Sequence, residues 1–356
     1  MTSAKHIGLD VHQATTAAAV LDANGKLVMQ SILETRASTL RDFLAGIRGP
    51  LNLTFEEGVA AEWLYGVLKS DVDEIVVCDP RKNALLKAGN KNDRIDARKL
   101  AELLRGGQLK QVYHGNRGVR TLKELAHSYL VLTRDVTRVL NRIKAVYRSV
   151  AIRCPGQRVY HPRYRQQWLE QLAEPGLRRR AERLYQQLDL IQPLRQQARR
   201  ELLVESRKHA ARQLLEQIPS IGPVRAALLI AIMQTPHRFR TKRLLWAYSG
   251  LGLEIRTSSD HDFKNGQLQR RRPKQISVRG LNRNHNPELK NLFKSTALSA
   301  SLRPGPWQKC YQGMLAKGIK PAMAQLTLAR KIAAVVLTLW KKGESFDPDK
   351  LTMQAA

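Results

Sequence analysis

The sequence predicts a mixed α/β domain over residues 1–115 and an α-helical remainder. Three observations carry that expectation. Short apolar runs bounded by turn residues crowd the first part of the chain, as strands do. From Leu125 onward, apolar residues recur at alternating spacings of four and three, as in a long packed helix. The charge also divides: residues 1–115 hold 15 basic and 14 acidic side chains, and residues 116–356 hold 46 and 16.

Ile7 to Val11 reads as a first strand, Thr16 to Leu21 as a second and Leu27 to Leu33 as a third. Asn24-Gly25, between the last two, is a hairpin signal because both residues accept positive φ. Ser38 is expected to cap a helix reaching about Ile47. Leu51 to Phe55 gives a fourth strand, Ala61 to Leu68 a helix and Glu74 to Cys78 a fifth strand. Pro80 opens a helical stretch, and Asn92 caps a helix from Asp93 to Leu104 that Gly106-Gly107 ends. Three strands, helix, strand, helix, strand, helix is the order of the ribonuclease-H-like fold, whose first three strands form an antiparallel meander.

The middle segment is predicted helical. Leu125, Tyr129, Leu132, Val136, Val139, Ile143, Val146 and Val150 form a heptad seam that Cys154-Pro155-Gly156 breaks. A second helix carries Ala181, Leu184, Leu188, Ile191, Ala198 and Leu202 on the same spacing, interrupted by Arg195 and threatened with a kink at Pro193. The seam fits a hairpin within one chain or a coiled coil between subunits. The last segment, from Gln217, is expected to be α-helical with basic loops, among them Arg270 to Lys274, and to finish with a helix from Pro321 to Lys342. The expected domains are residues 1–115, 116–216 and 217–346, with a tail at 347–356.

Composition excludes several classes. No run of about 18 uncharged apolar residues exists, because Arg330 and Lys331 interrupt the best stretch, so no membrane span is expected. No secretory pattern opens the chain, and a cytoplasmic protein is expected. Cys78, Cys154 and Cys310 lie too far apart for a disulfide framework or a cysteine zinc cluster. The net charge of +31 makes nucleic acid the default partner.

Four acidic residues stand apart from this background. Asp10 places a charge in the otherwise apolar first strand, and Glu56 ends the fourth. Asp93 and Asp96, at i and i+3, share one helix face. In a ribonuclease-H-like sheet the first and fourth strands are neighbours and the last helix packs beside them, so all four carboxylates converge. Converging anions repel unless cations neutralise them, and oxygen ligands select hard ions, here Mg²⁺ or Mn²⁺. Two such ions roughly 3.5–4 Å apart stabilise the attacking and leaving oxygens of phosphoryl transfer. Glu57 rivals Glu56, which is preferred because it shares a strand face with Thr54 while Phe55 takes the other. The isolated His12, His261 and His285 receive no role.

These residues also carry a family likeness. Gly8-Leu9-Asp10-Val11-His12, Phe55-Glu56-Glu57-Gly58 and Asn92-Asp93-Arg94-Ile95-Asp96-Ala97-Arg98 resemble the N-terminal motifs of the DEDD transposases of bacterial insertion sequences, the bridge-RNA-guided recombinases. Ile218 to Val224, Tyr248-Ser249-Gly250-Leu251 and Ile276 to Gly280 continue the likeness, which spans nearly the whole chain. The resemblance implies a RuvC-like domain, a coiled-coil insertion and a C-terminal transposase domain. It implies that Asp10, Glu56, Asp93 and Asp96 bind Mg²⁺. It further implies a serine that attacks DNA to form a phosphoserine link. The implied assembly is a tetramer, a dimer of dimers, with a structured non-coding guide RNA that pairs with donor and target DNA.

The serine falls at Ser258 or Ser259, with a slight preference for Ser259. The family pattern of serine followed by glycine is altered, since Asp260 stands at that place, and Gly250-Leu251-Gly252-Leu253 lacks the usual proline. Around this loop Arg256, Lys264, Arg270, Arg271, Arg272, Lys274 and Arg279 are expected phosphate contacts. Independently of the likeness, Ile218 to Met233 reads either as a helix-hairpin-helix, with Arg225 beside a phosphate held at the turn, or as a plain helix connection. Two other functions fit the same residues. A RuvC-like nuclease or junction resolvase uses the carboxylates to activate water, without a covalent intermediate. A binding protein on an inactive scaffold needs neither Asp10 nor Asp93.

Overall fold

A computed structural model of the chain describes residues 3–83, 92–115, 117–256, 261–264, 267–270 and 277–349. The chain divides into two compact units, residues 1–115 and 116–356.

The first unit is built on five strands, β1 (Lys5–Val11), β2 (Thr15–Leu21), β3 (Leu27–Glu34), β4 (Leu51–Glu56) and β5 (Glu74–Cys78). Their order in the sheet is β3-β2-β1-β4-β5. The first three pair antiparallel, and β4 runs parallel to both β1 and β5. The β2–β3 hairpin closes on Asp22, whose carboxylate accepts from the amides of Asn24 and Lys26, each at 2.9 Å. The elements and their order match the sequence expectation for a ribonuclease-H-like sheet.

Side-chain alternation gives this sheet two different faces. Ile7, Leu9, Val20, Leu53, Phe55 and Val77 form a core with Leu40 and Leu44 of α1 (Ala37–Ala45) and Leu64 and Leu68 of α2 (Ala61–Leu68). The other face carries small residues. After the short α3 (Pro80–Asn83) comes α4 (Asp93–Arg105), whose Ala97 packs on Ala17 and Ala19 of β2. One expectation is corrected at α1. Arg36, not Ser38, occupies its N-cap, with no side-chain hydrogen bond. Thr35 explains the early start: its hydroxyl donates to the His12 carbonyl and its amide to that of Ala14, pinning the chain just before the helix.

In the second unit, α5 (Arg120–Arg148) and α7 (Pro175–Ser206) form a hairpin, with α6 (Arg165–Glu170) between them. The heptad seam is thus filled within one chain. Val136, Val139, Ile143 and Val146 pack with Ala181, Tyr185 and Leu188, while Leu122, Ala126 and Leu202 enter the main core. Tyr147 and Tyr185 share a hydroxyl hydrogen bond at 3.0 Å, and Tyr185 donates onward to the Val159 carbonyl at 2.9 Å. Burial pushes the Tyr185 hydroxyl far above its ordinary value. The seam ends earlier than its spacing suggests. The helix stops at Arg148, Ala151 takes a positive φ, and Val150 stays exposed rather than joining the seam. Helix α7 runs through Pro193 without a break.

The main core surrounds α9 (Pro223–Met233), which follows α8 (Ala211–Glu216) and is buried along nearly its whole length. α10 (Lys242–Tyr248), α11 (Pro287–Leu302), α12 (Pro306–Ala316) and α13 (Pro321–Lys342) complete the helices. α13 is long and apolar enough to cross a membrane, but Leu328, Ile332 and Val336 are buried in this core. Its Arg330 donates through Nε to the Leu251 carbonyl at 2.7 Å, so the charge that interrupts the apolar stretch ties α13 to the segment after α10. The expectation of helices and loops alone is corrected here. β6 (Leu253–Arg256) pairs with β9 (Ser277–Leu281), and β7 (His261–Lys264) with β8 (Gln267–Arg270), all antiparallel. These strands are four or five residues long and rich in charge, so their apolar alternation is too brief to register.

Candidate metal centre

Asp10 reaches its position through strand register. On β1, Gly8 pairs with Ala19 of β2 and with Thr54 of β4, and Leu9 pairs with Phe55. One step further along the same register brings Asp10 beside Glu56. Paired residues of neighbouring strands project to the same face. Asp10 and Glu56 therefore share the face of Gly8, Thr54, Ala17 and Ala19, which is the face that α4 covers.

α4 supplies the other two carboxylates. Asn92 caps it, accepting through Oδ1 from the Ile95 amide at 2.8 Å, as the sequence predicted. Asp93 and Asp96 occupy the first turn, at the end of the helix where backbone amides favour anions. Gly8 lies beneath Ala97 and Ala101, and His6 lies near enough to Arg105 to be affected by its charge. α4 thus runs antiparallel to β1 and delivers its acidic N-terminus to the β1 end that bears Asp10.

The structure brings Asp10 and Asp93 together and inserts a residue that sequence reasoning passed over. His12 Nε2 lies 3.4 Å from Asp10 Oδ2 and 3.5 Å from Asp93 Oδ1. One donor atom from each of the three lies within 4.8 Å of the others. His12 follows Asp10 by two residues, the spacing that returns a side chain to the same face of a strand, and that was the available signal. Glu56 and Asp96 lie outside this group of three. Asp96 Oδ1 is nevertheless buried and accepts no hydrogen bond. A carboxylate oxygen without a donor costs roughly 1–3 kcal/mol or more, which a cation offsets. Oxygen donors dominate this set, with one imidazole nitrogen, and they fit a hard divalent ion.

Glu57 points to a different partner. His114 Nε2 meets its Oε2 at 2.7 Å, and the His114 ring stacks on Tyr65 with centroids 5.0 Å apart.

The other expected site residues fall in the second unit. Ser258, Ser259, Arg271, Arg272 and Lys274 lie outside the described residues. Arg256, Lys264, Arg270 and Arg279 fall in β6, β7, β8 and β9 respectively. Arg225, in the first turn of α9, donates to the Ser220 carbonyl at 2.6 Å and to the Ser295 carbonyl at 3.2 Å. It holds the turn between α8 and α9, in which Ser220 takes a φ of 70°.

The five-stranded mixed sheet, with Asp10 of β1 and Asp93 of α4 brought together, is consistent with a ribonuclease-H-like domain of the DEDD type. Comparison with known proteins agrees. Residues 7–151 match the family model of DEDD transposases of IS110, and residues 212–278 match that of the "Transposase IS116/IS110/IS902 family". Two stretches of the chain thus resemble, in that order, two domains of IS110-type transposases. It is also 26% identical over 144 residues to the "Insertion element IS116 uncharacterized 44.8 kDa protein" of Streptomyces clavuligerus. That alignment covers 40% of this chain and 33% of the relative, so the chain spans about a third of that relative's length.

Proposed function

We propose that this protein is a transposase that cuts and rejoins DNA to move an insertion sequence. The observation that carries the reading is the meeting of Asp10, at the end of β1, with Asp93, at the start of α4, around His12. In this reading residues 1–115 form the metal-binding domain, 116–216 the helical hairpin and 217–346 the domain bearing the serine loop, with 347–356 as a tail. Donor and target DNA are the substrates, a structured guide RNA selects them, and the working assembly is a tetramer in the cytoplasm.

Asp10, Glu56, Asp93 and Asp96 would hold Mg²⁺ or Mn²⁺, with His12 as a further donor. The ions would supply charge stabilisation at the phosphate and ease proton loss from the nucleophile. Glu57, engaged by His114, supports the assignment of Glu56.

Ser259 or Ser258 acts as the nucleophile. Its Oγ bonds to phosphorus while the bond from phosphorus to a deoxyribose oxygen breaks. The serine proton leaves to a base, and the released oxygen takes up a proton to become a hydroxyl. A strand hydroxyl then attacks the phosphoserine and frees the serine. Each step exchanges one phosphodiester for another, so rejoining needs no external energy source. Arg256, Lys264, Arg270, Arg271, Arg272, Lys274 and Arg279 supply phosphate contacts around that loop.

The test uses full-length protein, end-labelled donor and target DNA, guide RNA and Mg²⁺, stopped with denaturant. The expected result is recombinant product and a protein–DNA adduct that disappears when Ser258 and Ser259 are both replaced by alanine. Cleavage that continues without any adduct would establish the hydrolytic nuclease instead.

A further inference from the structure

Two clefts on the second unit meet at one residue. The first lies around the turn from Ile218 to Gly222 and is lined by Arg199 of α7, Arg225 of α9 and Arg303, which follows α11. The second is lined by Tyr129 of α5 with Arg195, Gln196, Arg199 and Arg200 of α7. Arg199 lines both, so the clefts adjoin. Arg195 and Arg199 are four residues apart on one helix and share its face, with a rise of about 6 Å between them.

What sets these arginines apart is that they converge on shared clefts; like most described arginines of this unit, they have no carboxylate partner among the described residues. Elsewhere in the unit Arg134 binds Glu288, Arg165 binds Asp189 and Arg212 binds Glu216. Arg195, Arg199, Arg200, Arg225 and Arg303 make no ion pair with a carboxylate among the described residues. The acidic residue lining the first cleft, Glu216, is the one engaged by Arg212. Burial and the charge of Arg303 together hold the Arg225 guanidinium below its ordinary value, so like charges face each other here. Guanidinium groups bind phosphate through paired, planar hydrogen bonds, and an extended anion relieves the repulsion along the whole track.

We propose that the adjoining clefts lined by Arg195, Arg199 and Arg303 form a binding track for the phosphodiester backbone of a nucleic acid. The inference rests on the reading above in taking nucleic acid as partner, but it requires neither the metal centre nor a covalent step. Arg225 forms the floor of the track and holds its turn in place.

The test is equilibrium binding of the full chain to a labelled DNA duplex and to a labelled RNA hairpin across a salt series. The variant is Arg195→Gln/Arg199→Gln/Arg303→Gln, with Arg225 left intact because it holds the turn. Each phosphate contact adds about 0.9 to the slope of log affinity against log salt for duplex DNA and about 0.7 for single strands. The expected result is a slope reduced by about 2–3 and an affinity reduced at least about tenfold at 0.1 M salt. A charge-matched control, Lys309→Gln/Lys317→Gln/Lys320→Gln, is expected to lose less than half as much. Loss on the duplex alone assigns the track to DNA, loss on the hairpin alone assigns it to RNA, and loss on both assigns it to their shared backbone. An unchanged slope in a variant with native circular dichroism, or an equal loss in the control, overturns the inference while leaving the proposed function standing. Wild-type protein that binds neither probe overturns both. If the track variant loses binding but the wild type forms no recombinant or adduct, the proposed function falls and the track stands.

Discussion

The α-carbon of Gly8 on β1 lies directly against the carbonyl oxygen of Ala97 on α4. A methyl group at Gly8 would overlap that oxygen and come within 2.6 Å of the Ala101 amide nitrogen. Both obstacles are backbone, so no side-chain rotation relieves them. Glycine is thus the condition for laying α4 close on the sheet, and with it the acidic turn bearing Asp93 and Asp96.

Gly8→Ala is expected to displace α4 and to destabilise the first unit by about 1–3 kcal/mol, the usual cost of forcing a methyl group into a filled space. Urea denaturation measures the loss. Because the displaced helix carries Asp93, the variant is also expected to bind Mn²⁺ more weakly. An unchanged midpoint with unchanged metal affinity would mean that the close approach does not position the site.

Gly250 makes a second such contact. Its φ is +65°, and an added Cβ would come 2.5 Å from the His285 ring. Gly250→Ala combines backbone strain of about 1 kcal/mol or more with that overlap. His285→Ala removes the overlap but not the strain. The expected result is that Gly250→Ala costs less in a His285→Ala background, measured as a double-mutant cycle in urea. Strict additivity of the two changes would contradict the account.

His6 gives a pH dependence. Burial first, and then the nearby Arg105 charge, hold its imidazole below the ordinary value of 6.5. The unfolded chain therefore takes up this proton at a higher pH than the folded one. Stability from this group is fully present above about pH 6.5 and is lost as pH falls through the range between the unfolded and folded values. Comparing urea midpoints from pH 8 to 5.5, the wild type should lose more stability than His6→Gln. Parallel profiles would show that His6 does not contribute.

The paired tyrosines of the helical hairpin give a third stability test. Tyr185→Phe leaves the Val159 carbonyl and the Tyr147 hydroxyl without their shared partner in a buried setting. An unsatisfied buried polar group costs about 1–3 kcal/mol. The double variant Tyr147→Phe/Tyr185→Phe should lose less than the sum of the single changes, because each removes the same bond. Thermal denaturation followed by circular dichroism checks both statements.

Much of the first unit was legible because its signals are local. Asn24-Gly25, the Asn92 cap, the apolar runs and the i, i+3 pair of Asp93 and Asp96 each depend on residues adjacent in sequence. What was hidden depends on contacts between distant residues. Ser38 has a capping side chain, but Thr35, anchored to the His12 carbonyl, sets where the helix starts. His12 looked solitary because Asp93, its second neighbour, is more than eighty positions away. The heptad seam was visible, yet its partner was not, since the same spacing serves a hairpin or an interface. The ribbons β6–β9 escaped notice because four or five residues rich in charge carry little alternation. The serines lie in a segment read only through likeness to a family, beyond the described residues.

The central claim is that Asp10, with Asp93 and His12, binds a divalent cation. Calorimetric titration of the full chain with Mn²⁺ addresses it without DNA, RNA or turnover. The expected outcome is saturable binding that Asp10→Asn and Asp93→Asn each weaken at least about tenfold, that His12→Ala weakens less, and that Glu57→Gln leaves unchanged. A wild-type protein without saturable binding, or an Asp10→Asn protein that binds as tightly as wild type, would contradict the account.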